Sequence, residues 1–288
     1  MTKILMRSTT AIQATWLRYA SALCALLIYS AFRLAHEKIR KQDASAWFYL
    51  PRLNSHRLLL LSLGFATFFL GPILQNTGLA SSQAIDNALI IAMEPLLTAI
   101  LAWMILGDRL NQKQLLGFGL ALLGFSLLSG LTPARLSQGW DSHLIGNLLI
   151  LVSLLGESLY SPLSSKLLKG SSPRPAFGSM LFVGVILLTI LMFFSPSGRV
   201  HWGNLSGVQL LALIWLGPLG TTVSYLFWLW ALTQVPIASL VLTLFIQPLS
   251  GSIWGYLALG ETLSGLQVFG GTLIVMGVMV PIWIKKGS

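Results

Sequence analysis

One stretch of this sequence occurs twice at a fixed offset, and any fold has to accommodate both copies. The first copy runs Glu94-Pro95-Leu96, an apolar segment, Leu106-Gly107-Asp108-Arg109-Leu110, then Gln114, Gly117 and Gly124. The second runs Gln247-Pro248-Leu249, an apolar segment, Leu259-Gly260-Glu261-Thr262-Leu263, then Gln267, Gly270 and Gly277. Pro95 and Pro248 stand 153 residues apart, and so do Gly124 and Gly277. Apolar sequences share leucines by composition alone, so the weight rests on the matched glycines, the proline and the acid after glycine. A repeat of this period has to be placed before any other feature. In lipid-like sequence it points to a transporter built from two related halves.

The sequence is lipid-like. Charged residues make up only 9% and hydrophobic residues 55%, with a mean hydropathy of +0.78. A soluble domain carries about 25% charged residues, so this chain cannot cover a water-facing surface. It reads as one polytopic membrane domain. The single cysteine, Cys24, allows no internal disulfide and no cysteine-based metal site. The net charge of +10 does not point to nucleic acid, because the basic residues sit in loops between apolar runs.

A helix of about 20 apolar residues spans the hydrocarbon and satisfies its own backbone polar groups. Such runs fall at 11–32, 57–78, 84–106, 114–131, 144–165, 177–195, 208–231, 236–259 and 266–284. The repeat pairs 57–78 with 208–231, 84–106 with 236–259, and 114–131 with 266–284. The run 11–32 then pairs with 177–195, and 144–165 is left without a counterpart. The expected fold is therefore all-α, with two inverted repeats of five transmembrane helices and about nine helices in this chain. The first helix of the first repeat is absent, either because the true start lies upstream or because the member is shortened. The first repeat covers 1–131 and the second 144–288. No cleavable signal peptide is evident in the opening residues.

Loop charge sets the orientation. With the loop at 33–57 in the cytoplasm, 13 Lys and Arg lie inside and 4 outside, with Arg18 within a helix, out of 18 in all. That split follows the positive-inside rule, and it puts the C-terminus in the cytoplasm. It also explains why Asp108-Arg109 becomes Glu261-Thr262: equivalent turns face opposite sides, and only the inner one keeps its cation. Ala46–Leu50 reads as an interfacial segment, and Trp140, Trp202 and Trp283 as interface anchors.

Ionisable groups inside the membrane are functional candidates by default. Glu94 lies near the middle of its run, directly before Pro95, which removes a backbone hydrogen bond and kinks the helix. It suits a cationic substrate group or a coupling proton; a protonated carboxyl bonded to a neighbouring helix is the structural alternative. Glu157 lies mid-run and suits the same cavity or a hydrogen bond to Ser or Thr. Arg18 suits a substrate carboxylate or a pairing with Glu94, and can also snorkel outward. Asp86, near a helix end, is expected to face water. Asn76, Gln75, Tyr160, Tyr225, Trp228 and Trp230 could supply polar and aromatic cavity walls. Pro72, Pro95, Pro162, Pro218 and Pro248 are kink or hinge candidates. No catalytic motif is present: there is no Gly-x-Ser-x-Gly, His-Glu-x-x-His or phosphate loop. No cofactor or metal is implied.

The repeated stretch, with Tyr160…Lys166 and Leu17-Arg18-Tyr19, resembles the EamA family of the drug/metabolite transporter superfamily. That resemblance implies a multi-pass inner-membrane permease, not an enzyme, with a central cavity and a small metabolite such as an amino acid as its exported substrate. The expected partners are the lipid bilayer and that substrate; a proton as coupling ion and a homodimer are compatible with the sequence. Glu157 stands where the family pattern leads one to expect an aromatic residue. The alternative is a non-transporting membrane protein acting as an assembly partner, which the DNA upstream of Met1 would help to distinguish.

Overall fold

The computed structural model describes residues 1–39, 55–106, 112–128, 141–167, 173–195, 200–232, 234, 246–262 and 264–283. Among the described residues the regular structure is helical: α1 Thr2–Leu5, α2 Ala11–Ile39, α3 Ser55–Phe65, α4 Gly71–Ala80, α5 Ala84–Ile91, α6 Glu94–Leu106, α7 Gln112–Leu128, α8 Ser142–Leu167, α9 Pro173–Phe194, α10 Gly207–Ile214, α11 Ser224–Leu232, α12 Ile246–Leu259 and α13 Gly265–Trp283. Two π-helical stretches, Ala66–Leu70 and Trp215–Val223, join α3 to α4 and α10 to α11. Six helical spans are long and apolar enough to cross a membrane, and Leu115–Leu128 and Gly265–Gly277 are shorter apolar helices. Of the run expected at 236–259, the described part is Ile246–Leu259. The protein is an all-helical, multi-pass membrane protein.

The chain forms two compact units. One takes residues 1–76 and 163–236, the other 77–162 and 237–288. Each unit therefore gathers helices from both copies of the repeat. In the second unit, α7 and α13 are 153 residues apart in register and cross closely. A Cβ placed on Gly124 would lie 2.8 Å from the Ile274 nitrogen, and one on Gly277 would lie 2.9 Å from the Ala121 nitrogen. Shifting the first pair by the repeat offset gives the second with the partners exchanged. Two equivalent helices that swap partners in this way cross antiparallel about a dyad perpendicular to their axes, which is the geometry of inverted repeats. Small residues let the two backbones meet. Ile90, Met93, Leu96, Phe125, Ile150 and Leu154 fill the core beside this crossing.

The first unit packs α2 and α9 against the two π-containing spans. A Cβ on Gly64 would lie 2.8 Å from the Met180 carbonyl, and one on Gly217 would lie 2.7 Å from the Arg18 carbonyl. Gly64 and Gly217 keep the 153 offset, but Arg18 and Met180 are 162 apart, as are Ser21 and Val183, which stand at the same two glycines. The α2–α9 pair thus follows a longer register, and most of the added length lies in α2 itself, which runs on to Ile39 past Arg18, whereas α9 ends at Phe194 past Met180. The π stretches obey the repeat offset: Ala66–Leu70 falls on Leu219–Val223. Pro218 lies inside the second stretch, and Pro72 follows the first by two residues. A proline leaves a carbonyl of the preceding turn without its N–H, and the wider turn recruits side chains. Thr221 Oγ1 donates to the Leu216 carbonyl at 2.8 Å and Ser224 Oγ to the Leu219 carbonyl at 3.0 Å, each reaching back five residues.

Candidate functional site

In the second unit the span 84–105 is not one helix. α5 ends at Ile91, Ala92 and Met93 form a turn, and α6 begins at Glu94. The physical cause is Pro95, whose missing N–H denies the Ile91 carbonyl its helical partner. Met93 N–H instead reaches the Ile90 carbonyl at 2.9 Å, and Leu97 N–H restarts the ladder on the Met93 carbonyl at 3.1 Å. The kink expected within a continuous helix is thus a break, and Glu94 is the first residue of a half-helix. Such an N-terminus offers backbone N–H groups and partial positive charge inside the span. Glu94 and Glu157 of α8 lie close enough to interact electrostatically. Ser158 Oγ donates to the Glu94 carbonyl at 3.4 Å. Tyr160, two residues on, is buried. The side chains of Pro95 and Pro248 lie outside the described residues; Pro248 is the third residue of α12.

In the first unit, Arg18 Nε donates to Thr221 Oγ1 at 3.0 Å, and the guanidinium lies 5.2 Å from the centre of the Tyr19 ring. Thr221 is a π-stretch residue, so the cation is seated on the irregular part of its span. Asn76 is buried and its Nδ2 donates to Thr15 Oγ1 at 2.7 Å. Tyr225 stacks on Phe177 at 5.8 Å and meets Phe68 at 5.1 Å, and Phe68 packs edge-on to Tyr19 at 5.6 Å. Trp228 is half-buried on α11. The structure thus groups Arg18, Asn76, Tyr225 and Trp228 in one unit and Glu94, Glu157 and Tyr160 in the other. The interfacial segment read at 46–50, Trp140, and the Asp108-Arg109 turn lie outside the described residues.

Asp86 corrects its expectation. It is fully buried, not water-facing. His143 Nε2 of α8 lies 2.7 Å from Asp86 Oδ2, and Gln267 Nε2 of α13 donates to Asp86 Oδ1 at 2.8 Å. Beside it, Ser82 is bonded to Asn147. The repeated acid also finds a role in its second copy. Gly260 takes φ +68°, a left-handed conformation that ends α12. That turn carries the Glu261 carboxylate onto the free N–H groups of Ala84 and Ile85, each at 3.0 Å. The sequence signal for this was present in Gly260-Glu261, but its target lay 176 residues away.

The EamA-like transporter family profile matches residues 1–130 and 144–283. The chain belongs to the EamA-like transporter family. It is a membrane transporter, and the family and its relatives are transporters rather than enzymes. It is 26% identical over 267 residues to "Uncharacterized transporter YyaM" of Bacillus subtilis (strain 168), across 92% of this chain and 82% of that one. Similarity extends to "WAT1-related protein At3g02690, chloroplastic" of Arabidopsis thaliana, 27% identical, across 88% of this chain and 58% of that one. A "Probable terminal-alkyne amino-acid exporter" of Streptantibioticus cattleyicolor is 23% identical, across 72% of this chain and 67% of that one. A crystal structure at 18% identity superposes with a TM-score of 0.65, covering 99% of this EamA-like chain and 92% of its own, a likeness of fold.

Proposed function

We propose that this protein exports a small polar or amphipathic metabolite, an amino acid or a related compound, by alternating access. The observation that carries this reading is the break at Ala92–Met93, which starts a half-helix with Glu94 inside an apolar span. Irregular backbone and a carboxylate at membrane depth are costly, and they persist where they serve a ligand or an ion pathway. Discontinuous helices of this kind form the substrate sites of secondary transporters with inverted repeats. Glu94 and Glu157 would take an ammonium group or a proton. Arg18, seated on Thr221, would take a carboxylate, with Asn76, Tyr160, Tyr225 and Trp228 as polar and aromatic contacts. The printed name of the Streptantibioticus relative favours amino acids.

Under this reading the repeats 1–131 and 144–288 exchange conformations between inward-open and outward-open states, with Pro72, Pro95, Pro218 and Pro248 as flexible points. The protein would lie in a cell inner membrane with its C-terminus in the cytoplasm, and a proton would be the coupling ion. A homodimer is tested by its mass in detergent. The functional test starts from a screen of amino acids for thermal stabilisation of the purified protein. Efflux of a labelled hit from proteoliposomes should then fall strongly in Glu94→Gln. Unchanged flux with unchanged pH dependence would remove Glu94 from the mechanism.

A further inference from the structure

The pair Asp86–His143 is not used by the reading above. Asp86 is fully buried within the apolar span 84–105. Both of its carboxylate oxygens are held, Oδ2 at 2.7 Å from His143 Nε2 and Oδ1 at 2.8 Å from Gln267 Nε2. The imidazole is different: its side chain keeps 32% of its exposure. Among the described residues, His143 thus links the buried carboxylate to the surface of the protein. Imidazole is the side chain that changes charge between about pH 5 and 8, and chains of Asp and His inside membrane proteins are proton relays.

We propose that Asp86–His143 is a proton-binding site of this transporter, separate from Glu94, and that its occupancy governs the tie between α5, α8 and α13. With His143 neutral, Nε2–H donates to the Asp86 carboxylate. Uptake of one proton at Nδ1 makes the imidazolium, and the contact becomes an ion pair that binds α8 to α5 more firmly. Loss of that proton loosens it. Among the described residues, the other charged groups named at this end hold backbone N–H groups. Asp141, at the start of α8, accepts from Leu144 N–H at 2.7 Å. Glu261 accepts from Ala84 and Ile85 N–H. The remaining neighbours named here, Ser82, Gln83, Asn147 and Gln267, are neutral; Gln267 Nε2 also reaches Gln83 Oε1 at 3.3 Å. The consequence for transport runs along α5. Asp86 and Glu94 are eight residues apart on the same span, about 12 Å at helical rise, and the break at Ala92–Met93 lies between them. A tie that tightens at one end of α5 alters how freely the other end moves against α6.

The test uses the full chain in lipid nanodiscs with nitrogen-15-labelled histidine, read across pH 5 to 9. One imidazole should be assigned by its loss in His143→Gln, and its titration should move in Asp86→Asn while the other histidines stay put. A His143 signal that titrates alike in wild type and Asp86→Asn would overturn the site. This readout needs no substrate, so it stands or fails apart from the proposed function, on which only the transport measurement rests. In proteoliposomes, the pH step in flux should flatten in His143→Gln, which keeps a donor to Asp86, and persist in the control Gly119→Ala, whose added Cβ meets nothing within 4 Å. A step unchanged in His143→Gln overturns the coupling to transport.

Discussion

The crossing of α7 and α13 gives the most direct test of the inverted geometry. A Cβ on Gly124 would overlap the Gly270 carbonyl and lie 2.8 Å from the Ile274 nitrogen; one on Gly277 would overlap the Gly117 carbonyl and lie 2.9 Å from the Ala121 nitrogen. The obstructing atoms are backbone, so no rotamer change relieves them and the helices must separate. Overpacking of this kind costs about 1–3 kcal/mol. Gly119, on the same helix, has nothing within 4 Å of its Cβ position. Gly119→Ala therefore reports the helix-propensity gain alone, about 1 kcal/mol. Relative to that control, Gly124→Ala and Gly277→Ala should each lose about 1–3 kcal/mol. The double variant should lose less than the sum, because one separation relieves both overlaps. The assay is thermal unfolding in detergent followed by tryptophan fluorescence. If Gly124→Ala matches Gly119→Ala, or the two costs simply add, the close dyadic crossing is wrong.

Three other expectations follow from the site geometry. Thr221→Val removes the acceptor of Arg18 Nε; a hydrogen bond to a charged group is worth about 1.5–3 kcal/mol, so stability and flux should fall, and Thr221→Ser should restore both. Glu261→Ala frees the Ala84 and Ile85 N–H groups and should cost about 1 kcal/mol in thermal unfolding, as loss of a helix cap does, with Glu261→Gln in between. Pro95→Ala returns an N–H to the Ile91 carbonyl; it should close the break, raise thermal stability and lower flux in the proteoliposome assay.

The repeat, the apolar spans and the inverted sense were legible because they are written in glycines, prolines and loop cations, which a single sequence displays. The α2–α9 register was not, since neither Arg18 nor Met180 belongs to a repeated motif and α2 runs on further past Arg18 than α9 does past Met180. The π stretches carry no residue signature; Pro218 marks one, but Phe65, its counterpart by offset, gives no hint of the other. Glu94 and Pro95 were visible as an irregular point, yet the turn at Ala92–Met93 depends on which carbonyls find new donors. Asp86 was misjudged because position near a helix end normally means water, whereas here His143 and Gln267 close over it from helices 57 and 181 residues away.

The interleaving of the two units also sets an order of synthesis. The unit that spans residues 1–76 and 163–236 is complete once the ribosome has passed Pro236, whereas the other draws on residues 237–288. Helices α5 to α7 must therefore sit in the bilayer, with the glycine face of α7 uncovered, until translation delivers α13.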